Sequence, residues 1–290
     1  MLKGICSKIG CLIKNIVGDV KVESKVIDEV NTSNVTSAAA VSDVTDNEKT
    51  ERDLEPVVEA VKEPVSIKIH NPIYEYAHGR KFKEGDARWI VVHYTACINL
   101  GAKSMCKVMK SNTGASSHFY IDEKDIYAAV PLKYVAWHVA GGKCNQPKKG
   151  VEMTLEQLAK YKANDWRYDL AASNHLKWKE NHDDFAGNYY SIGVDMCVKK
   201  KQKNDKNKAT DLDWYFEEGT VENTAKTVAY LANEYHIDID HIIRHGDATG
   251  KLCPQPYTYP FDEGDKKWAE FKNKVSEYMK CGVNARWVKD

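Results

Sequence analysis

Two histidines and one cysteine have the types and the spacing of a catalytic metal site. His93 closes the apolar run at 88–92, Arg-Trp-Ile-Val-Val, so its side chain can project from the edge of a sheet. His245 follows a second apolar pair in Ile-Ile-Arg-His, and Cys253 comes eight residues later. Two imidazoles and one thiolate leave the fourth position of a tetrahedral zinc to water, which separates a catalytic site from a closed structural one. Gly246 and Gly250 let the intervening loop turn tightly, and Pro254 stiffens the backbone directly after the sulfur. Each signal is weak alone. A lone histidine after a strand is more often a satisfied core or surface residue, and a lone cysteine beside proline is usually a small buried hydrophobe. With ten histidines in the chain, coincidence has room to operate.

These three residues need strands to hold them. The run at 88–92 reads as a short buried strand, and 99–111 as a helix. Runs at 117–122 and 125–130 read as a hairpin joined by a polar turn. Residues 191–197 form a further apolar strand and 242–243 a short one. In 221–235, Val221, Ala225, Val228, Leu231, Ala232 and Tyr235 share a helical face, with Thr220 available as a cap. Residues 264–280 read as a closing helix. Strands interleaved with helices predict an α/β fold, a mixed central β-sheet flanked by helices.

The rest of the chain changes character towards the N-terminus. Residues 1–20 place Leu2, Ile5, Ile9, Leu12, Ile13, Ile16, Val17 and Val20 at helical spacing, with Lys3, Lys8 and Lys14 largely off that stripe. Such a cationic amphipathic helix suits a membrane surface, packing on the protein itself, or a partner helix. Residues 21–68 are rich in Ser, Thr, Asn and Asp and lack sustained periodicity, the composition of a disordered linker. The globular domain is expected over 69–282, with an aromatic- and charge-rich insertion at 143–188 and a C-terminal tail at 283–290. That insertion reads as an irregular flap over one sheet edge or as a lid that shapes substrate recognition.

Composition narrows the partners. Lys+Arg and Asp+Glu are equal at 42 each, so no global basic field exists to hold nucleic acid. Seven Trp and sixteen Tyr suit a packed core and carbohydrate contact. Eight irregularly spaced cysteines give no disulfide framework and read as reduced thiols. No stretch approaches the ~20 apolar residues of a spanning helix. Lys8 and Lys14 interrupt the N-terminal apolar run, so no clear signal peptide is encoded.

Five motifs occur in an order that resembles the type 2 N-acetylmuramoyl-L-alanine amidases. They are Val-Val-His-Tyr-Thr-Ala (91–96), Ser-Ser-His-Phe (116–119), Ala-Trp-His (136–138), Ser-Ile-Gly-Val-Asp (191–195) and His-Gly-Asp-Ala-Thr-Gly-Lys-Leu-Cys-Pro (245–254). That family includes phage endolysins of the amidase type, cell-wall recycling amidases and the animal peptidoglycan-recognition proteins. The resemblance spans roughly residues 70–275 and implies one Zn2+ per chain on His93, His245 and Cys253.

It also implies that Lys251 points into the site, where a fixed ammonium can stabilise an oxyanion. Asp195 matches a place where many members carry glutamate, the carboxylate that takes a proton from water. Being one methylene shorter, Asp195 either works through an intervening water or sits on a closer strand. Some relatives use a tyrosine just before the histidine of the second motif; Ser117 stands there, so that route is absent. His118, Trp137 and His138 look like substrate-binding wall residues, with core filling as the alternative. Asp247 can orient a ligand histidine from behind or compete as a ligand.

The resemblance implies hydrolysis of the amide between N-acetylmuramic acid and L-alanine in bacterial peptidoglycan, by a monomeric cell-wall lysin of endolysin type. Two other readings keep the fold: a non-catalytic peptidoglycan-binding module, and a cytosolic muropeptide-recycling amidase. The expected setting is synthesis in the cytoplasm and action on the wall, with phage and cellular origin both open.

Overall fold

The structure is a computed structural model of the 290-residue chain and describes residues 63–71, 76–111, 114–139, 185–202, 207–209 and 211–289. All lie in the second of two compact units, Val61–Asp290. The expected helix at 1–20, most of the linker at 21–68 and nearly all of the insertion at 143–188 fall outside the described residues.

In chain order the elements are β1 (Val65–His70), β2 (His78–Lys81), β3 (Trp89–Tyr94), α1 (Ala102–Met109), β4 (Phe119–Ile121), β5 (Ile126–Ala128), β6 (Tyr134–Ala136), β7 (Ser191–Met196), β8 (Lys199–Lys200), β9 (Trp214–Tyr215), α2 (Glu218–Tyr235), β10 (Ile242–Arg244), α3 (His245–Thr249), α4 (Phe261–Cys281) and β11 (Val283–Val288). Seven strands form one sheet in the order β10-β3-β7-β4-β5-β1-β11. Every pairing in it is parallel except β4 with β5. β2 pairs with β6 and β8 with β9 in small antiparallel ribbons. The expected mixed sheet with flanking helices is therefore the observed fold.

Strand alternation sorts the two faces. Ile90 and Val92 of β3, Ile192, Val194 and Met196 of β7, and Phe119 and Ile121 of β4 enter one large core. α2 covers it with Ala225, Val228, Leu231 and Ala232, and α4 with Trp268, Phe271 and Val275. On the opposite face, Tyr120 and Tyr127 pack with Met105 and Cys106 of α1. The Asp122 carboxylate holds α1 in place, accepting from the N–H groups of Ala102, Lys124 and Asp125.

Three boundaries differ from the sequence expectation. β1 begins at Val65, inside the expected linker, because Ile67 and Ile69 alternate into the core. The expected tail at 283–290 is mostly strand: β11 runs parallel to β1 in full register. Its residues are at most half-buried, so only the open edge of β1 makes them a strand. Thr220 does not cap α2. Glu217 holds that position, and Thr220 lies buried in the first turn. Among the described residues no helix is long and apolar enough to cross a membrane.

Candidate metal centre

Parallel register assembles the site. β10, β3 and β7 lie side by side, with Arg244 opposite Val92 and His93 opposite Asp195. His245 follows Arg244 directly, so it emerges beside His93 at the carboxyl ends of the strands. That end of a parallel sheet is where α/β proteins place their ligands. Tyr120 lies opposite Asp195 on β4 and extends the polar row.

A backbone fold-back delivers the sulfur. α3 begins at His245 and is capped after Thr249 by Gly250, whose φ of 75° is the left-handed conformation glycine adopts at no steric cost. The Gly246 N–H then donates to the Cys253 carbonyl at 2.7 Å. A Cβ on Gly246 would stand 2.8 Å from the Lys251 carbonyl, so this close return requires glycine. As a result the ligating atoms of His93, His245 and Cys253 lie within 4.8 Å of one another. The two Nδ1 atoms are 3.0 Å apart and Cys253 Sγ is 3.8 Å from His93 Nδ1. Tetrahedral bonds of ~2.0–2.3 Å place ligand atoms ~3.3–3.6 Å apart. The observed separations bracket that value, and the donor set fits zinc.

Electrostatics favour the same use. Burial holds both histidines well below the usual imidazole range, helped for His93 by His245, His138 and Lys251, and for His245 by Lys251 and His138. They therefore stay neutral with lone pairs available. Burial pushes the Cys253 thiol up to about 12, against the pull of Lys251 and of the Tyr94 backbone N–H directed at the sulfur. A bound cation is what would keep that sulfur a thiolate. Asp195 is partly buried, and desolvation raises its carboxyl to about 6. That value is net of the opposing pull of the Ser117 hydroxyl and of the Lys251 charge.

Lys251 is exposed, yet its charge bears on His93, His245, Asp195 and Cys253 alike. Trp137 is partly exposed; its ring covers Gly79 and meets Tyr189 edge-on. Two expectations about wall residues are corrected. His118 is fully buried, donating from Nε2 to the Tyr134 carbonyl and accepting at Nδ1 from the Gly193 N–H, so neither nitrogen faces a substrate. His138 has Nδ1 at 3.0 Å from His93 Nε2 and Nε2 at 3.2 Å from the Ser191 carbonyl. It leans on a ligand rather than on a groove wall.

Asp247 likewise leaves the ligand set. Its carboxylate accepts from the Arg244 backbone N–H at 2.9 Å and from the Arg244 guanidinium at 2.7 Å. It anchors the start of α3 and touches no ligand ring. Arg244 itself is fully buried and also reaches the Tyr257 carbonyl and Asp265, both at 2.7 Å. Removing one partner of such a pair leaves a buried charge and costs ~3–5 kcal/mol.

The family profile described as N-acetylmuramoyl-L-alanine amidase matches residues 83–256, which include His93, Asp195, His245 and Cys253. The chain belongs to that family. Among curated proteins it is similar to the N-acetylmuramoyl-L-alanine amidase BlyA of Bacillus subtilis (strain 168), 29% identical over 65% of this chain and 41% of that one. It is also similar to the N-acetylmuramoyl-L-alanine amidase CwlL of Bacillus licheniformis, 25% identical over 68% of this chain and 43% of the relative. The chain thus spans less than half the length of these curated relatives. Among solved structures, the PlyG catalytic domain superposes with a TM-score of 0.46 at 19% identity, over 73% of this chain and 96% of that one.

Sequence reasoning about this amidase-family chain passed over Arg244, Ser191 and Gly193. Arg244 did carry a signal, since a charge inside an apolar strand one residue before a ligand needs a buried partner. Gly193 carried one too, as a glycine inside a strand marks a close approach. Ser191 carried none.

Proposed function

We propose that this chain is a zinc-dependent peptidoglycan hydrolase of endolysin type that cleaves the amide between N-acetylmuramic acid and L-alanine. The observation that carries the reading is the convergence of His93, His245 and Cys253 beside Asp195, within a segment that matches the amidase family. The names of the two curated relatives support the choice of bond.

His93 Nδ1, His245 and Cys253 would hold one zinc ion. When bound, the ion supplies a Lewis acid that lowers the pKa of water towards ~7 and polarises a carbonyl. Asp195 accepts the proton of the attacking water as the C–O bond forms, and returns it to the L-alanine amine as the tetrahedral adduct collapses and the amide C–N bond breaks. The Lys251 ammonium faces the oxyanion that develops on the carbonyl oxygen. Trp137 offers an apolar ring face to the sugar or the stem peptide.

The wall is the partner and the acting species is a monomer, while the cationic amphipathic stripe of residues 1–20 suits a membrane surface, the protein itself or a partner helix. Asp195 and Lys251 favour catalysis over a binding module, because recognition alone needs neither a proton acceptor nor an oxyanion donor.

Mass spectrometry of purified peptidoglycan after digestion tests the reading. The expected products are stem peptides with free L-alanine amino groups, no new reducing sugar ends, and none of either after exhaustive chelation. New reducing ends as the main product, or full activity without metal, would overturn it. Binding to the wall with no release of peptides would point to the binding module.

A further inference from the structure

We propose that His138 and Ser191 are positioning residues that set the tautomer of His93, so that its free lone pair is on the nitrogen facing the other ligands. The inference rests on the reading of His93 as a metal ligand.

The hydrogen-bond partners fix each proton in turn. The Ser191 hydroxyl donates to the Gly187 carbonyl at 2.7 Å, so towards His138 it can only accept. The Ser191 carbonyl can only accept as well. Both oxygens stand 3.2 Å from His138 Nε2, which must therefore carry the proton. A neutral imidazole has one N–H, so His138 Nδ1 is a bare acceptor. His93 Nε2, 3.0 Å away, must donate to it. That leaves His93 Nδ1 bare, and His93 Nδ1 is the atom that faces His245 Nδ1 at 3.0 Å and Cys253 Sγ at 3.8 Å.

The seat for His138 is built into the fold. Asn188, itself buried, accepts from the backbone N–H groups of His138 and Val139 at 2.9 Å each. The ring lies over β7 at Gly193, where a Cβ would come within 2.6 Å of His138 Cγ. The glycine of the Ser-Ile-Gly-Val-Asp motif is thus the space the ring occupies. His118 is the built-in contrast: its ring centroid is 5.9 Å from that of His138, yet both its nitrogens bond to backbone groups and neither reaches His93. Metal-bound histidines commonly use their second nitrogen in this way, and losing that partner typically weakens metal binding roughly 10–100-fold.

The test uses the full-length chain and His138→Ala, His138→Asn and His138→Gln. Zinc affinity is measured by competition with a chelator, and the His93 tautomer by nitrogen-detected NMR of the metal-free wild type. Asn places a carbonyl oxygen where His138 Nδ1 stands, whereas Gln reaches the Nε2 position and keeps only the Ser191 contact. The expected results are a wild-type His93 protonated at Nε2, zinc bound roughly 10–100-fold more weakly by the Ala and Gln variants, and most of the affinity recovered in Asn. Three results would each overturn the inference: His93 protonated at Nδ1, wild-type affinity in the Ala variant, or Gln matching Asn. A wild-type chain that binds no zinc would instead overturn the metal reading, while the tautomer, read without metal, still decides the role of His138.

Discussion

Along β3, Ile90 and Val92 point into the core beneath α2 and α4, while Val91 and His93 point the other way. β7 repeats the division, with Ile192, Val194 and Met196 on the core side and Ser191, Gly193 and Asp195 on the other. The same strands therefore hold one face given wholly to the large core and an opposite face that mixes smaller apolar clusters with the polar residues of the candidate site. The difference is one residue of register. A side chain moved by one position changes face. It also means that damage to the two faces should separate experimentally: one set of substitutions removes metal or rate while the metal-free stability stays constant, the other removes stability at constant chemistry.

The sharpest break is expected at the ligands. His93→Ala and Cys253→Ser should lower zinc from about one per chain to background and abolish wall lysis, while the metal-free proteins melt close to metal-free wild type. Metal analysis beside thermal melts checks this, and a Cys253→Ser protein with full zinc and full rate would remove the site as drawn.

Asp195→Asn should lower kcat by ~10²–10⁴ with zinc retained, because Asn keeps the shape but cannot accept a proton. The pH dependence follows in sign. Burial raises the Asp195 carboxyl to about 6 in the metal-free chain, so the proton-accepting form is lost as pH falls through that value. A bound cation favours the carboxylate, so the acid limb of the rate profile should fall below the titration seen by NMR without metal. A limb that stays in place in Asp195→Asn would assign the base to another group.

On the apolar face the effect should be large but of another kind. Phe119 is fully buried, and Phe119→Ala should reduce stability by ~3–5 kcal/mol with zinc affinity and rate per folded molecule unchanged. Denaturant melts beside activity at low temperature separate the two, and a selective loss of rate would blur the division between the faces. Lys251→Met should cost ~10²–10³ in kcat with little change in KM, which steady-state kinetics would read directly. The smallest effect is expected at Trp137→Ala: aromatic contacts contribute ~0.5–1.5 kcal/mol, so KM should rise a few-fold to about tenfold with kcat nearly constant.

How far each region could be read from the chain follows the same physics. The strands expected at 88–92 and 191–197 and the helix expected at 221–235 were legible, and stand as β3, β7 and α2, because burial imposes runs and periods on sequence. β11 was not, since its half-exposed residues become a strand only through the edge of β1. β2, β6, β8 and β9 escaped for a related reason: pairs of two to four residues are too short to show a period.

At the site, residue type and motif order by themselves pointed to His93, His245 and Cys253 as the candidate ligands, and the fold brings all three together, because few side chains hold zinc and a short glycine-bearing loop limits where the sulfur can go. They also marked Asp195 and Lys251 as the charged groups to watch. What His118, His138 and Asp247 do was decided only in three dimensions. Each has the chemistry to face a substrate or a metal, and each is turned elsewhere by a partner distant in sequence or hidden by burial: His118 by Tyr134 and Gly193, His138 by Ser191 and His93, Asp247 by Arg244. A hydrogen-bonding side chain acts through whichever partner the fold brings within ~3 Å, and sequence supplies the donors and acceptors without saying which of them will meet.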